Sequence, residues 1–222
     1  MRFEAFVLFF IVTLTCRGQD WDTIPILPDH YKAKLADFKK QKQTNGKILF
    51  LGNSITEMGN FRKLLGDSSV INRGIGGDIT FGIMQRLDEI TRFKPSKLFL
   101  MIGVNDLAKH IPEDVILENM FLIISQIHRD SPGTNVFVQS ILPVNKSFKN
   151  FPKGSDVMES VVVINTQLSK ISKRFNYTYV DLYKDFTDKE GNLNAIYSTD
   201  GLHLNEAGYK QWIKILKDAK HF

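Results

Sequence analysis

Short apolar runs alternate along this chain with longer stretches in which apolar residues recur at helical spacing. The short runs have the length and composition of strands buried on both faces of a parallel sheet, and several are followed by turns rich in glycine and asparagine. Five runs are predicted to be strands: Ile48–Leu51, Ser69–Ile71, Leu98–Ile102, Asn135–Gln139 and Tyr177–Leu182.

The stretches between these strands carry helical signals. Pro112 precedes two acidic residues and marks a helix start, because proline fits the first turn and acids interact favourably with the helix dipole. Asp78 or Thr80 is predicted to cap the third helix and Asn205 the last one. The predicted helices are His30–Lys42, Asn60–Leu65, Phe81–Ile90, Pro112–Asp130, Val157–Phe175 and Glu206–Lys220.

Alternating strands and helices predict an α/β fold, a three-layer α/β/α sandwich around a mostly parallel five-stranded sheet. The chain has 222 residues, 43% of them apolar, which suits a single core. We expect one domain over residues 46–222. Residues 19–45 are predicted to form an extended segment and a helix that packs on that domain.

The N-terminus has the pattern of a signal peptide. Arg2 is followed by an apolar run from Ala5 to Leu14, too short for a transmembrane helix. We therefore expect residues 1–18 to be removed and the protein to be exported, periplasmic or secreted, without stable membrane insertion. A lipid anchor on Cys16, the only cysteine, is the disfavoured alternative, because Thr13 stands where such signals usually carry leucine.

The net charge of +5 does not indicate a nucleic-acid partner. The lysines are interleaved with apolar positions, as on solvated helix faces, and no basic stripe is flanked by aromatic residues. No grouping of histidine, cysteine and aspartate has zinc-binding spacing, and no phosphate-binding loop of the P-loop type is present. We expect neither a metal ion nor a cofactor. The sequence does not predict the oligomeric state.

An acid–base pair stands near the C-terminus. Asp200 lies three residues before His203, where a carboxylate can hold one imidazole tautomer and stabilise the imidazolium. Ser54 follows the first predicted strand in a tight turn that exposes its hydroxyl at the carboxyl end of the sheet. Each motif taken alone also fits a helix-capping serine or a solvated turn. Together they have the chemistry of a nucleophile, a base and an orienting acid.

Two further turns offer donors for a developing oxyanion. Residues 72–78 contain Gly76 and Gly77 after the second predicted strand, and residues 103–106 contain Asn105 after the third. In this order the four turns resemble the serine, glycine, asparagine and histidine blocks of the GDSL/SGNH hydrolase family. The resemblance covers roughly residues 46–218 and implies a flavodoxin-like hydrolase fold.

The resemblance also implies roles for individual residues. The catalytic set would be Ser54, His203 and Asp200. The oxyanion hole would be the amides of Ser54 and Gly77 and the side chain of Asn105, with Gly76 as the alternative to Gly77.

Asn53 departs from the aspartate that the family usually carries before the serine. Because an amide can still hydrogen-bond the turn, we expect its geometry to survive, while rate and pH behaviour differ. The loop at 142–155 is predicted to form a wall of the substrate site. His30, at a helix start, and His110, near the asparagine turn, are given no part in the site.

The segment Ile75–Thr80 resembles the platelet-activating-factor acetylhydrolase branch, which implies a small acyl group. The function expected from this resemblance is an exported serine esterase that hydrolyses short-chain, O-acetyl esters. Its substrate would be a glycan or small-molecule ester, with the O-acetyl groups of a polysaccharide or of sialic acid preferred. Hydrolysis of lysophospholipids or thioesters is the alternative within enzymes. A non-catalytic carbohydrate-binding module and an acyltransferase with a sugar acceptor are further alternatives, because a fold does not settle function.

Overall fold

One sheet of five strands organises the computed structural model, which describes residues 21–152 and 157–222. The strands are β1 (Ile48–Gly52), β2 (Val70–Gly74), β3 (Lys97–Met101), β4 (Asn135–Gln139) and β5 (Thr178–Val180). Their order is β2-β1-β3-β4-β5, and every neighbouring pair is parallel. This is the strand order of flavodoxin-like folds. The predicted α/β class is confirmed, with a sheet that is wholly rather than mostly parallel.

Helices connect the strands on both sides of the sheet. Between residues 21 and 152 they are α1 (Pro28–Lys40), α2 (Ser54–Glu57), α3 (Phe61–Leu65), α4 (Thr80–Met84), α5 (Leu87–Thr91), α6 (Val104–Ala108) and α7 (Glu113–Asp130). From residue 157 onward they are α8 (Met158–Ile171), α9 (Tyr183–Phe186), a 3-10 turn (Ala195–Tyr197) and α10 (Glu206–Asp218). The Asn205 side chain caps α10, as predicted, by accepting the Gly208 amide at 3.0 Å.

Aromatic side chains fill one face of the sheet. Phe50, Phe99 and Phe137 stand side by side on β1, β3 and β4, with ring centroids 4.9 Å and 4.5 Å apart. Phe61 of α3 stacks on Phe50 at 3.9 Å, and Trp212 of α10 meets Phe61 edge-on at 5.0 Å. Burial of these large rings fixes α3 and α10 as one helical layer.

The opposite face of the sheet is aliphatic. Leu49 and Leu51 alternate with Phe50 and are fully buried, so this face is covered as well. Helix α7 contacts α4, α5 and α8 and forms the second layer. It buries the apolar stripe that its sequence predicts: Ile116, Met120, Ile123, Ile124 and Ile127.

Strand register brings the candidate turns to one edge. Gly52 at the end of β1 pairs with Gly74 of β2 and with Met101 of β3. The turns that follow these positions therefore leave the sheet at the same level. The strand order also reverses at β1, and the crevice beyond such a reversal is where open α/β sheets bind ligands.

The predicted third helix differs from the observed structure. It is two short helices, α4 and α5, and Ile79 rather than Asp78 or Thr80 occupies the cap position. The reason is that both predicted caps have buried partners. Arg86 donates to the Asp78 carboxylate at 2.9 Å, and the Thr80 hydroxyl donates to Asp106 at 2.5 Å.

The N-terminal segment lies against the sheet domain. Residues 21–27 lead into α1, whose Tyr31 and Phe38 form an apolar cluster with Ile75. The predicted signal peptide, residues 1–18 with the chain's only cysteine, lies outside the described residues. In the part of the chain that is described, no helix has the length and apolar composition to cross a bilayer.

Candidate active site

Ser54 begins helix α2 directly after the first strand. Gly52 is required here, because a Cβ atom on it would lie 2.3 Å from the Met101 carbonyl oxygen. The Asn53 side chain, 1% exposed, accepts the Ile55 amide at 3.1 Å and caps the helix. Asn53 thus keeps the turn formed without a carboxylate, as predicted.

The second half of the site is the His203 loop. The His203 Nε2 atom lies 3.0 Å from Ser54 Oγ, and Nδ1 lies 2.7 Å from Asp200 Oδ2. Asp200 Oδ1 accepts the amides of Leu202 and His203 at 2.9 Å and 2.7 Å. Partial burial opposes ionisation of Asp200, but these hydrogen bonds outweigh it and lower its pKa. The carboxylate is therefore charged at neutral pH and holds the proton of the imidazole on Nδ1.

The His203 loop is itself held by groups that the sequence analysis did not identify. Ser198 Oγ donates to the His203 carbonyl at 2.7 Å and accepts the Gly201 amide at 2.9 Å. Gly201 has φ +84°, and a Cβ atom on it would lie 2.1 Å from the Asn145 carbonyl oxygen. The Asn145 amide donates to the Gly201 carbonyl at 2.8 Å, which joins this loop to the loop after β4.

Asn105 stands at the end of the third strand. Gly103, with φ +126°, turns the chain into α6 and places Asn105 in the first turn of that helix. The Asn105 side chain is 9% exposed, and its Nδ2 donates to the Asp78 carbonyl at 2.9 Å. A primary amide has two N–H donors, so one remains for a ligand.

The two glycines of the second turn are not equivalent. The Gly76 amide donates to Glu57 Oε2 at 2.5 Å. Gly77 has φ +73°, and among the described residues its amide finds no acceptor. The Gly77 amide, and not the Gly76 amide, is thus available to an oxyanion. This difference favours Gly77, the predicted backbone donor, over Gly76.

Buried acids lie beneath the turns. Asp78 is paired with Arg86, whose Nη2 also donates to the carbonyl of Gly52 at 3.3 Å. Burial raises the pKa of Asp78 to about 6 although Arg86 opposes the shift. Burial likewise raises the pKa of Asp106 to about 6, while hydrogen bonds from Thr80 oppose it. Arg86 thus connects Asp78 of the glycine turn to Gly52 at the end of β1, and Asn105 connects Asp78 to the first turn of α6.

Ser54, His203, Gly77 and Asn105 all open into one pocket of about 860 Å³. Asp200 stands behind His203, so the structure brings the whole predicted set together. Most of the remaining wall is apolar. The other lining residues are Ile26, Leu27, His30, Glu57, Met58, Gly76, Ala108, Lys109, Pro152 and Leu202.

Two lining residues, His30 and Glu57, are not among the predicted site residues. The prediction that His30 has no part in the site is wrong, because its Nε2 lies 2.9 Å from Glu57 Oε2 on the pocket wall. Glu57 is three residues after Ser54, so helical spacing alone could have indicated it. His110 is exposed and outside the pocket, as expected. Pro152 belongs to the predicted wall loop, residues 142–155, of which residues 153–155 lie outside the described part.

Within residues 21–152 and 157–222, no three side chains of histidine, cysteine, aspartate or glutamate are grouped so as to hold a metal ion. The chemistry available at the pocket is that of a hydroxyl, an imidazole, a carboxylate and three N–H donors.

The chain is similar in sequence to known proteins. The sequence model of the GDSL-like lipase/acylhydrolase family matches residues 50–211. The curated protein named platelet-activating factor acetylhydrolase IB subunit alpha2, from Rattus norvegicus, is 26% identical over 179 residues. The match covers 77% of this chain and 74% of that protein.

Solved structures agree with the fold. A Streptococcus pneumonia protein provisionally named a platelet activating factor is 30% identical, with a TM-score of 0.77 over 87% of this chain and 94% of that one. The acetyl xylan esterase AlAXEase is 20% identical, with a TM-score of 0.63 over 78% and 98% of the two chains. The second likeness is one of fold.

Proposed function

The chain belongs to the GDSL-like lipase/acylhydrolase family, and from this membership we propose that it is an exported serine esterase acting on short-chain, O-acetyl esters. The observation that carries the proposal is the hydrogen-bonded chain from Asp200 through His203 to Ser54, which joins two loops 149 positions apart. A serine hydroxyl with no such base is a weak nucleophile.

In the proposed reaction, Ser54 Oγ attacks the ester carbonyl carbon while its proton passes to His203 Nε2. Asp200 holds the imidazole in the required tautomer and stabilises the imidazolium. The negative charge on the carbonyl oxygen is met by the Ser54 and Gly77 amides and by Asn105 Nδ2.

The tetrahedral intermediate then collapses. The ester C–O bond breaks, the leaving alcohol takes the proton from His203, and the acyl group stays on Ser54. Water repeats the sequence with His203 as base, which releases the carboxylic acid and restores the serine.

An acetyl group is supported by the acetylhydrolase relative. A carbohydrate alcohol is supported by polar groups at the pocket wall, because His30 and Lys109 could hydrogen-bond hydroxyl groups. Export rests on the pattern of residues 1–18.

A second candidate is hydrolysis of lysophospholipids or thioesters. The observation that favours it is the apolar part of the pocket wall, formed by Ile26, Leu27, Met58 and Leu202. Three of these side chains are exposed to solvent at 43%, 49% and 58%, and an apolar chain would bury them favourably.

The two candidates are separated by an ester panel. The full chain is assayed with p-nitrophenyl acetate, butyrate and octanoate, then with acetylated xylo-oligosaccharides and a lysophospholipid, each beside Ser54→Ala. The proposal predicts the highest kcat/KM for acetyl esters and release of acetate from the sugar. A preference for octanoate and the lysophospholipid would favour the second candidate. Glycan binding without turnover would favour a binding module.

A further inference from the structure

We propose that Glu57 is a positioning residue that holds the turn of the oxyanion donor Gly77 in its working position beside Ser54, and that α1 contributes to the active site through Glu57. The inference rests on the proposed esterase function. It concerns the turn formed by residues 75–78, called here the oxyanion turn.

The oxyanion turn has two conformations open to it. The Asp78 amide donates to the Ile75 carbonyl at 3.1 Å, and Gly77 at the third position has φ +73°, as in a type II turn. A type I turn differs by a flip of the central peptide, which carries the Gly77 amide. Two central glycines make the turn conformationally permissive, so its position relative to Ser54 depends on contacts with the rest of the domain.

Two contacts hold the oxyanion turn in place. Glu57 Oε2 accepts the Gly76 amide at 2.5 Å, on one side of the central peptide. The Ile26 amide donates to the Gly77 carbonyl at 2.8 Å, on the other side. Space is limited as well, because a Cβ atom on Gly76 would lie 3.1 Å from Glu57 Oε2. The peptides on both sides of the Gly77 amide are thus held, one by α2 and the other by the segment before α1, and this fixes the position of the turn relative to Ser54.

Glu57 is also linked to the nucleophile. It lies in the four-residue helix that begins with Ser54, so one short element carries the nucleophile and the anchor of the oxyanion donor. A carboxylate accepting a main-chain amide forms a charge-assisted hydrogen bond, about twice as strong as a neutral one.

Helix α1 keeps this carboxylate charged and in place. His30 Nε2 lies 2.9 Å from Glu57 Oε2, and Lys34 Nζ lies 2.7 Å from Oε1. Partial burial opposes ionisation, but Lys34, His30 and the Gly76 amide together lower the pKa of Glu57. The Tyr31 hydroxyl donates to the Gly82 carbonyl at 2.7 Å and fixes α1 on the domain.

The test compares Glu57→Ala and Glu57→Gln with Glu113→Gln. Glu113 is a half-buried glutamate whose carboxylate accepts the Ser160 hydroxyl at 2.6 Å, and it does not line the pocket. For each variant, kcat and KM are measured with p-nitrophenyl acetate, together with the thermal midpoint and the hydrogen exchange of the Gly76 amide.

Complete loss of an oxyanion donor lowers kcat by about 100- to 1000-fold, and a misdirected donor retains part of that effect. We therefore expect Glu57→Ala to lower kcat by about 10- to 100-fold with little change in KM, and to speed exchange at Gly76. Glu57→Gln keeps an acceptor oxygen and should recover most of the loss. Glu113→Gln should match the wild type.

The inference is overturned if folded Glu57→Ala keeps the wild-type kcat, or if only KM changes, which would make Glu57 a substrate-binding group. If Glu57→Ala does not fold, the test rests on Glu57→Gln. A kcat reduced about 2- to 10-fold in that variant supports the inference, because a neutral acceptor forms a weaker hydrogen bond. An unchanged kcat together with unchanged hydrogen exchange at Gly76 refutes it. A wild type that hydrolyses no ester refutes the proposed esterase function, and this result is distinguishable from both outcomes for the Glu57 variants.

Discussion

Replacing Asn105 with alanine should lower the catalytic rate far more than stability. The substitution removes the side-chain N–H that faces the pocket, and loss of one oxyanion donor costs about 100- to 1000-fold in kcat, or about 2.7–4 kcal/mol. It also removes the bond from Nδ2 to the Asp78 carbonyl, 2.9 Å long and buried. An unsatisfied buried carbonyl costs about 1–3 kcal/mol of folding free energy.

That stability loss should lower the thermal midpoint by about 2–12 °C, since 1 kcal/mol shifts a domain of this size by about 2–4 °C. Kinetics at about 25 °C would then still report on the folded enzyme, because mesophilic domains melt at about 45–65 °C. The assay is steady-state hydrolysis of p-nitrophenyl acetate, with thermal unfolding followed by circular dichroism.

Asn165→Ala is the matched control. Asn165 is 7% exposed and bonds both the amide and the carbonyl of Ile141 at 2.8 Å, away from the pocket. It should lose at least as much stability while keeping kcat. A kcat reduced less than about 10-fold in Asn105→Ala, or an equal reduction in Asn165→Ala, would refute the role of Asn105 as oxyanion donor.

Asp200→Asn should lower kcat by about 10³- to 10⁴-fold at constant pH, because the neutral partner favours the wrong tautomer of His203; a loss below tenfold in the same ester assay would contradict this. Gly77→Ala forces a side chain to φ +73° with its Cβ 2.8 Å from the Leu27 nitrogen, so we expect a loss of at least about 1–2 kcal/mol in urea unfolding together with lower kcat, and an unchanged midpoint would contradict the strain. Burial raises the pKa of Asp106 from 3.8 to about 6, so its contribution to stability is fully present below the lower value and is lost as the pH rises through the higher one. The gain in unfolding free energy between about pH 7.5 and about pH 5.5 should therefore be smaller in Asp106→Asn than in the wild type, and equal gains would show that Asp106 does not titrate there.

The site could be predicted because its parts are local. Each turn follows a short apolar strand, and parallel strands end at a common edge, so Ser54 and Asn105 had to lie close together. Asp200 and His203 are three residues apart on one loop, so their proximity can be read directly from the sequence. The pairing of Gly52 with Gly74 and Met101 then completes the alignment.

The contacts that could not be predicted depend on packing between distant segments. His30 meets Glu57 only because α1 docks on the glycine turn, and sequence spacing carries no record of that docking. The buried ion pair between Asp78 and Arg86 likewise depends on packing. Because the Asp78 carboxylate binds Arg86, Asp78 does not occupy the predicted helix-cap position. The hydrogen bond from the Gly76 amide to Glu57, which leaves the predicted donor Gly77 as the available amide, likewise joins segments 19 positions apart.

The most direct test of the account is covalent labelling of Ser54. The full chain is treated with a fluorophosphonate, and the modified peptide is identified by mass spectrometry beside Ser54→Ala and His203→Ala. The account predicts modification of Ser54 in parallel with loss of ester hydrolysis, none in Ser54→Ala, and a rate lower by orders of magnitude in His203→Ala. A wild type that is unlabelled at Ser54 and inert toward acetyl esters would contradict it.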